Sequence, residues 1–351
     1  MSNTLRAVVV GCRMGRHHAE ALTKLKEFNL VALCDLKEET ARSLSDSLGV
    51  VEVYTDYAKM LQDIQPDVVV IATPNNLHAP MTLQALNYNV KGIYCEKPMA
   101  VSLKEARSMQ ESCKKKNVKL VIGHQRRMSS VYRKMRSAIE SGEIGEVYLV
   151  RGSCAGDILS DGTHTIDSTL YLLGDEDIKW VLGQVYRGSA EPPEVVAKNP
   201  WAYTGNRYGH LVERGAMAVF ETLSGVRAEI LTGDMRFPGR TYQDIEVIGT
   251  KGRLWRAGDS AEPKLIILKD NETQWKKIDL SDDKDVFEDV FRAFAESIEL
   301  GSIHPLCSEN SLRGFQVIMA IYESARLNAR INLPLQQEEF PLDIMVREGR
   351  L

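Results

Sequence analysis

Three short stretches of the 351-residue chain bring together side chains suited to moving a proton beside a bound anion. In "CEKP", Cys95 to Pro98, a lysine stands between a glutamate and a proline. The proline restricts φ, so Lys97 is aimed rather than loose. A lysine whose ammonium form is disfavoured by a neighbouring positive charge exchanges a proton near neutral pH. In "DGTHTID", Asp161 to Asp167, His164 and Asp167 lie three residues apart, about one helical turn. That spacing lets a carboxylate orient an imidazole. In "VVVGCRMGRHH", Gly11 and Gly15 separate an apolar run from a helical pattern, and the helix N-terminus forms an anion site. Each stretch alone also has a plain reading, as a solvated lysine, a histidine satisfied by its own loop and an ordinary turn.

Position along the chain separates these readings. Apolar runs recur at Ala7–Val10, Leu30–Cys34, Val68–Ala72, Gly92–Cys95 and Leu120–Ile122, with amphipathic helical patterns between them. Strands apolar on both faces and alternating with helices predict a parallel, doubly wound sheet, a Rossmann domain over residues 1–123. In such a sheet ligands bind beyond the carboxyl ends of the strands. Polar residues collect at all five ends: Gly11, Cys12, Arg13, Met14 and Gly15; Asp35; Thr73, Pro74, Asn75 and His78; Glu96 and Lys97; Gln125 and Arg126. Asp35 falls 20 residues beyond Gly15, where an acidic side chain accepts from an adenosine ribose.

The glycine turn departs from G-x-G-x-x-G, since Gly11 and Gly15 are four apart. Three alignments are open. Gly11 is the first glycine and one residue is deleted; or Cys12 takes the second position, with Val10 at the first; or Arg13 takes it and offers its guanidinium to the phosphates. In each of them Gly15 keeps the helix near the sheet, and the shortened turn is expected to hold its nucleotide more weakly.

Residues 124–351 change texture. A helix, "SVYRKMRSAIESG", leads to a strand at Glu146–Gly152, a Gly-rich loop and a helix around Thr165–Leu173. Alternating strands follow from about Lys179 to Ile278, then two helices at Asp285–Leu300 and Cys307–Asn328. The expectation is an α+β domain with a large, mostly antiparallel sheet, serving substrate binding and oligomerisation. Tyr203, Tyr208, Tyr242 and Trp201 are candidates to line its pocket, with core packing as the plainer role. A formal net charge of −4 gives no general attraction to nucleic acid or anionic membrane. No apolar stretch nears the roughly 20 residues of a membrane span. A strand begins within five residues of Met1, leaving no room for a signal peptide, and no C-x-x-C pair occurs among six cysteines. Cytoplasm is the expected compartment, and His17 and His18 read as helix-face residues with no metal role.

The ordered set "VVVGCRMGRHHAEAL", "IATPNNLHAPMTLQAL", "YCEKPMA", "GHQRRMSSVYRKMRSAIESGEIGEV", "DGTHTIDSTLYLLGD" and "IEVIGTKGRL" resembles the glucose–fructose oxidoreductase and inositol dehydrogenase family over nearly the whole chain. The Glu-Lys-Pro and Gly-x-His-x-x-Asp elements are its most specific marks. The resemblance implies an NAD(P)-dependent oxidoreductase transferring hydride to or from a carbinol of a sugar, polyol or cyclitol. It places Lys97 and His164 on the reacting hydroxyl, Glu96 on the nicotinamide ribose, and Gln125 and Arg126 at the mouth of the site. His78 either packs beneath the nicotinamide or caps its own loop. NAD is expected because Asp35 repels a 2′-phosphate, while Lys37 keeps NADP open. Many members carry an Asp four residues before the histidine, where this chain has Ser160; Asp161 is the candidate substitute. A homodimer or homotetramer is implied. Two other readings remain: a glycosidase of the same family that uses NAD transiently, and a non-catalytic nucleotide sensor that keeps the fold.

Overall fold

Six short strands pair in parallel because nearly every side chain on them is apolar and buried. They are β1 (Leu5–Val10), β2 (Phe28–Cys34), β3 (Glu52–Tyr54), β4 (Val68–Ile71), β5 (Gly92–Cys95) and β6 (Lys119–Ile122), in the order β3-β2-β1-β4-β5-β6. β4 and β5 are buried along their whole length. The computed structural model describes residues 4–50, 52–199, 202–236, 242–280 and 285–351. Register brings the strand ends level: Val10 pairs with Cys34 and with Ile71, Ile71 with Cys95, and Cys95 with Ile122. The loops that follow these residues therefore gather along one edge, on either side of the β1/β4 switch point. β3 is absent from the sequence expectation. It has three residues, lies at the sheet edge and is only partly buried, so it lacks an apolar run.

The chain divides into two compact units. The first unit continues through Met128 and also takes back a segment ending at Leu312, which holds the helix Val286–Leu300. That helix carries Val290, Phe291 and Phe294 at core-facing spacing, all buried. The Phe291 ring lies 5.2 Å from Tyr94 and 6.0 Å from Phe28. Long-range packing thus claims for the first unit a helix that chain order assigns to the second.

The second unit is built on a nine-stranded sheet. Its strands are β7 (Val147–Cys154), β8 (Ile178–Tyr186), β11 (Gly215–Thr222), β12 (Arg227–Thr232), β13 (Gln243–Gly249), β14 (Gly252–Arg256), β15 (Leu265–Lys269), β16 (Lys276–Lys277) and β17 (Ile331–Asn332). The order is β16-β15-β14-β13-β7-β12-β11-β8-β17, antiparallel throughout except for the parallel β7–β12 pair. A separate small hairpin joins β9 (Asn206–Arg207) to β10 (His210–Leu211). Alternating burial along β11 and β12 shows one face turned to a core and the other outward. The helix Gly162–Leu172 covers the inner face, buried at ten of its eleven positions. Tyr148, Leu182, Tyr186 and Met217 are exposed large apolar residues of this sheet. All six cysteines are free thiols. Among the described residues no helix is long and apolar enough to cross a membrane, and no cluster of three metal-ligating side chains occurs.

Candidate active site

The turn after β1 resolves the question of the missing glycine. Gly11 has φ +88°, and a Cβ there would collide with the Ala72 carbonyl, reaching to 2.7 Å of its carbon. It therefore takes the first glycine's place, where the strand must turn sharply. The helix Gly15–Lys24 starts at Gly15, whose missing side chain lets Val9 of β1 approach, as the last glycine of such a turn does. Between them the loop is one residue short. Cys12 points into the core, 1% exposed, with its thiol pushed up to about 12 by burial and by the neighbouring Asp35. Its backbone N–H donates to Asp35 Oδ2 at 2.8 Å, and the Lys37 N–H donates to Asp35 Oδ1 at 2.9 Å. Arg13 and Met14 are left exposed at the tip. Asp35 thus braces the loop, and each of its oxygens keeps further acceptor capacity. Gly11, Arg13, Asp35, Leu36, Lys37, Thr73, Pro74, Leu77 and Met81 are among the residues lining a cleft of about 470 Å³ at these strand ends. Apolar walls, a glycine where the backbone must come close and an acid at the rim fit the adenosine half of a dinucleotide.

The loops after β4 and β5 are tied together beneath this edge. Asn75 is buried in the single turn Asn75–Leu77, and His78 behind it is fully buried. Its Nδ1 lies 2.7 Å from the Pro98 carbonyl and its Nε2 lies 2.9 Å from the Thr73 carbonyl. His78 supports the loop and offers no ring nitrogen to a ligand. Glu96 likewise turns inward. Its Oε1 is 2.8 Å from His18 Nε2 and accepts from the Tyr94 hydroxyl at 3.3 Å, and its Oε2 accepts from the Lys97 N–H at 3.2 Å. Burial alone would raise its pKa, but the His18 hydrogen bond and the positive surroundings, Lys97 included, hold the carboxyl down to about 2. His18 is therefore no helix-face residue, as its position in the sequence suggests, but a fully buried partner of Glu96 packed on Tyr94. Lys97 is half-buried at the end of this braced turn. Gln125 and Arg126 follow β6 in the turn Gln125–Met128, and Gln125 Oε1 is buried with no protein partner. A buried amide oxygen of this kind calls for a donor from elsewhere.

In the second unit the loop between β7 and the helix Gly162–Leu172 carries Asp157, Ser160 and Asp161, all buried. Asp157 Oδ1 accepts from the Ser160 N–H at 2.7 Å, closing the loop onto the helix start. Asp161 is held from two sides: Tyr242 Oη donates to Oδ1 at 2.7 Å and Arg207 Nη1 to Oδ2 at 3.1 Å. Arg207 and His210 face each other across the β9–β10 hairpin, whose turn uses positive φ at Tyr208 and Gly209. His210 Nδ1 lies 2.7 Å from the Leu211 carbonyl, to which it donates, and Nε2 lies 3.3 Å from Ser160 Oγ. His164 and Asp167 are both buried on the first turns of the helix. Of the aromatic candidates, Tyr242 joins this cluster, Tyr203 donates to the Val212 carbonyl at 3.0 Å, and Trp201 lies outside the described residues.

Comparison with known proteins places the chain in a family. A family model described as an oxidoreductase family with an NAD-binding Rossmann fold matches residues 5–124, and the C-terminal domain model of the same GFO/IDH/MocA family matches residues 132–255. The chain belongs to this family. Myo-inositol 2-dehydrogenase of Thermotoga maritima is 27% identical over 283 residues, 76% of this chain and 79% of that one. The NAD-dependent scyllo-inositol 2-dehydrogenase of Bacillus subtilis is 28% identical over 73% of this chain and 74% of its own length. The crystal structure of an Agrobacterium radiobacter oxidoreductase in complex with NAD+, L-tartaric acid and magnesium has a TM-score of 0.77 at 20% identity, covering 94% of this chain and 98% of that one. As a GFO/IDH/MocA oxidoreductase, the protein is an NAD(P)-dependent dehydrogenase or reductase acting on CH–OH groups.

One feature of this GFO/IDH/MocA chain has no signal in its sequence. Glu213, just before β11, is buried against the Asp157 loop: its carboxylate accepts from the Ile158 N–H and from the Tyr322 hydroxyl at 2.6 Å. Burial, then the nearby Asp157 charge, push Glu213 up to about 8 despite those two hydrogen bonds. The folded protein therefore keeps a proton that the unfolded chain releases near pH 4.5. The contribution of Glu213 to stability is complete below that pH and falls as pH rises towards 8, at up to about 1.4 kcal/mol per pH unit. Urea unfolding at several pH values between 5 and 8.5 is expected to show a flatter profile for Glu213→Gln than for wild type. Equal slopes would mean that Glu213 ionises normally.

Proposed function

We propose that the protein interconverts a secondary alcohol and a ketone on a sugar, polyol or cyclitol, with Lys97 and His164 as its acid–base groups. The observation that carries the reading is the Glu96–Lys97–Pro98 turn. Its glutamate is locked by His18, Tyr94 and the Lys97 N–H, so the amine that follows leaves from a fixed backbone. NAD+ supplies the hydride acceptor when bound. In the oxidation direction the carbinol carbon gives up its hydride, and the hydroxyl proton passes to the Lys97 side chain, leaving C=O. His164 hydrogen-bonds the same oxygen and steadies its charge as the proton leaves. Reduction runs the same proton back from Lys97. Asp161, tied by Tyr242 and Arg207, orients a substrate hydroxyl rather than swinging freely in the relay. Arg126 contributes a charge at the mouth of the site.

Asp35 at the rim of the cleft supports NAD over NADP, because a carboxylate there repels a 2′-phosphate. A panel of inositols, aldoses, alditols and uronates, assayed for reduction of NAD+ and NADP+ in parallel, tests the proposal. NAD+ reduction with at least one polyol is expected. Absence of turnover together with absence of NADH binding in a fluorescence titration to millimolar cofactor would overturn it.

A further inference from the structure

His78 lies in neither the cleft nor the acid–base pair, yet its ring reaches both the loop after β4 and the turn bearing Lys97. Its ring is fully buried between two backbone carbonyls, Pro98 O at 2.7 Å from Nδ1 and Thr73 O at 2.9 Å from Nε2. We propose that His78 is a positioning residue for Lys97, holding the Lys97–Pro98 turn through the Pro98 carbonyl and anchoring that turn to the loop at Thr73. The inference rests on the acid–base reading of Lys97 given above.

The chemistry of the ring makes this more than packing. A carbonyl only accepts, so each of the two links needs an N–H on the ring nitrogen facing it. The neutral imidazole has one N–H and makes one link at a time; the imidazolium makes both. Burial outweighs the two carbonyls and lowers the ring's pKa, so the neutral ring with a single N–H is favoured. The charged groups acting on the ring are Glu96, which favours the cation, and Lys97, which opposes it, both on the turn that His78 holds. The link to Pro98 is the shorter and lies one residue from Lys97. It is therefore the link that orients the amine.

Two substitutions separate the links. Asparagine carries an amide N–H near the place of Nδ1 and reaches only the Pro98 carbonyl; glutamine reaches only towards Thr73. Turnover of whichever polyol is oxidised, and the rate at which acetic anhydride acetylates Lys97 in the NAD+-loaded protein, are measured for wild type, His78→Asn, His78→Gln and Lys97→Ala. His78→Gln is expected to lose on the order of 10²-fold in kcat, as a misplaced reacting group does, and His78→Asn about tenfold less. KM for NAD+ should change little in either. Lys97 acetylation should match wild type in His78→Asn and differ severalfold in His78→Gln. Equal behaviour of the two variants, or wild-type kcat and acetylation in both, overturns the positioning role. If Lys97→Ala keeps its turnover, the reading of Lys97 fails instead, and the acetylation rates still decide whether His78 fixes the turn.

Discussion

Lys97→Ala is expected to lower kcat by about 10³-fold while leaving NADH affinity within a factor of two. General acid–base groups contribute about 10²–10⁴-fold. The turn itself should survive the change. It is held by the Lys97 N–H on Glu96 Oε2 and by Pro98 on His78, and neither contact uses the lysine side chain. Lys97 is only half-buried, so truncation opens no core cavity, and stability should move by less than about 1 kcal/mol. The separation of kcat from NADH binding is the informative result. Steady-state kinetics beside a fluorescence titration reads both; a variant that keeps a tenth of wild-type kcat would remove Lys97 from the chemistry.

Gly11→Ala is expected to give a large loss of stability for a single added methyl group. The glycine combines φ +88° with contact against the Ala72 carbonyl, so a Cβ meets backbone that cannot rotate away. Gly49 supplies the control. It has φ +70° at the end of the helix Glu38–Leu48, with nothing within 4 Å of a built Cβ. Left-handed strain alone should cost Gly49→Ala about 1 kcal/mol. Strain plus collision should cost Gly11→Ala about 3 kcal/mol or more, with weaker NADH binding as Ala72 and Thr73 shift. Urea unfolding of the two variants side by side tests this, and equal losses would show that the turn yields without collision.

The glycine turn also shows how far local sequence reaches. The spacing of Gly11 and Gly15 leaves three alignments open, and only the contact of Gly11 with Ala72, a residue 61 positions away, selects the one with a deleted residue. The same limit applies to Cys12. Its place in the loop suggests a small residue lying against a pyrophosphate, whereas the core beneath it claims the side chain and leaves only its N–H to Asp35.

What the amino-acid sequence determined by itself is everything governed by short-range periodicity. Apolar runs on both faces specify the parallel strands, alternation specifies the larger, mostly antiparallel sheet, and polar residues after Val10, Cys34, Ile71, Cys95 and Ile122 mark one edge of the first sheet. Those patterns are legible because side-chain direction repeats every two residues in strands and every 3.6 in helices. Tertiary structure alone decided the partners: His18 with Glu96, Tyr242 with Asp161, Ser160 with His210, Glu213 with the Asp157 loop, and the helix Val286–Leu300 with the first unit. Each joins residues tens of positions apart or more. A buried polar group must find a partner, but only the packed fold decides which one comes within reach.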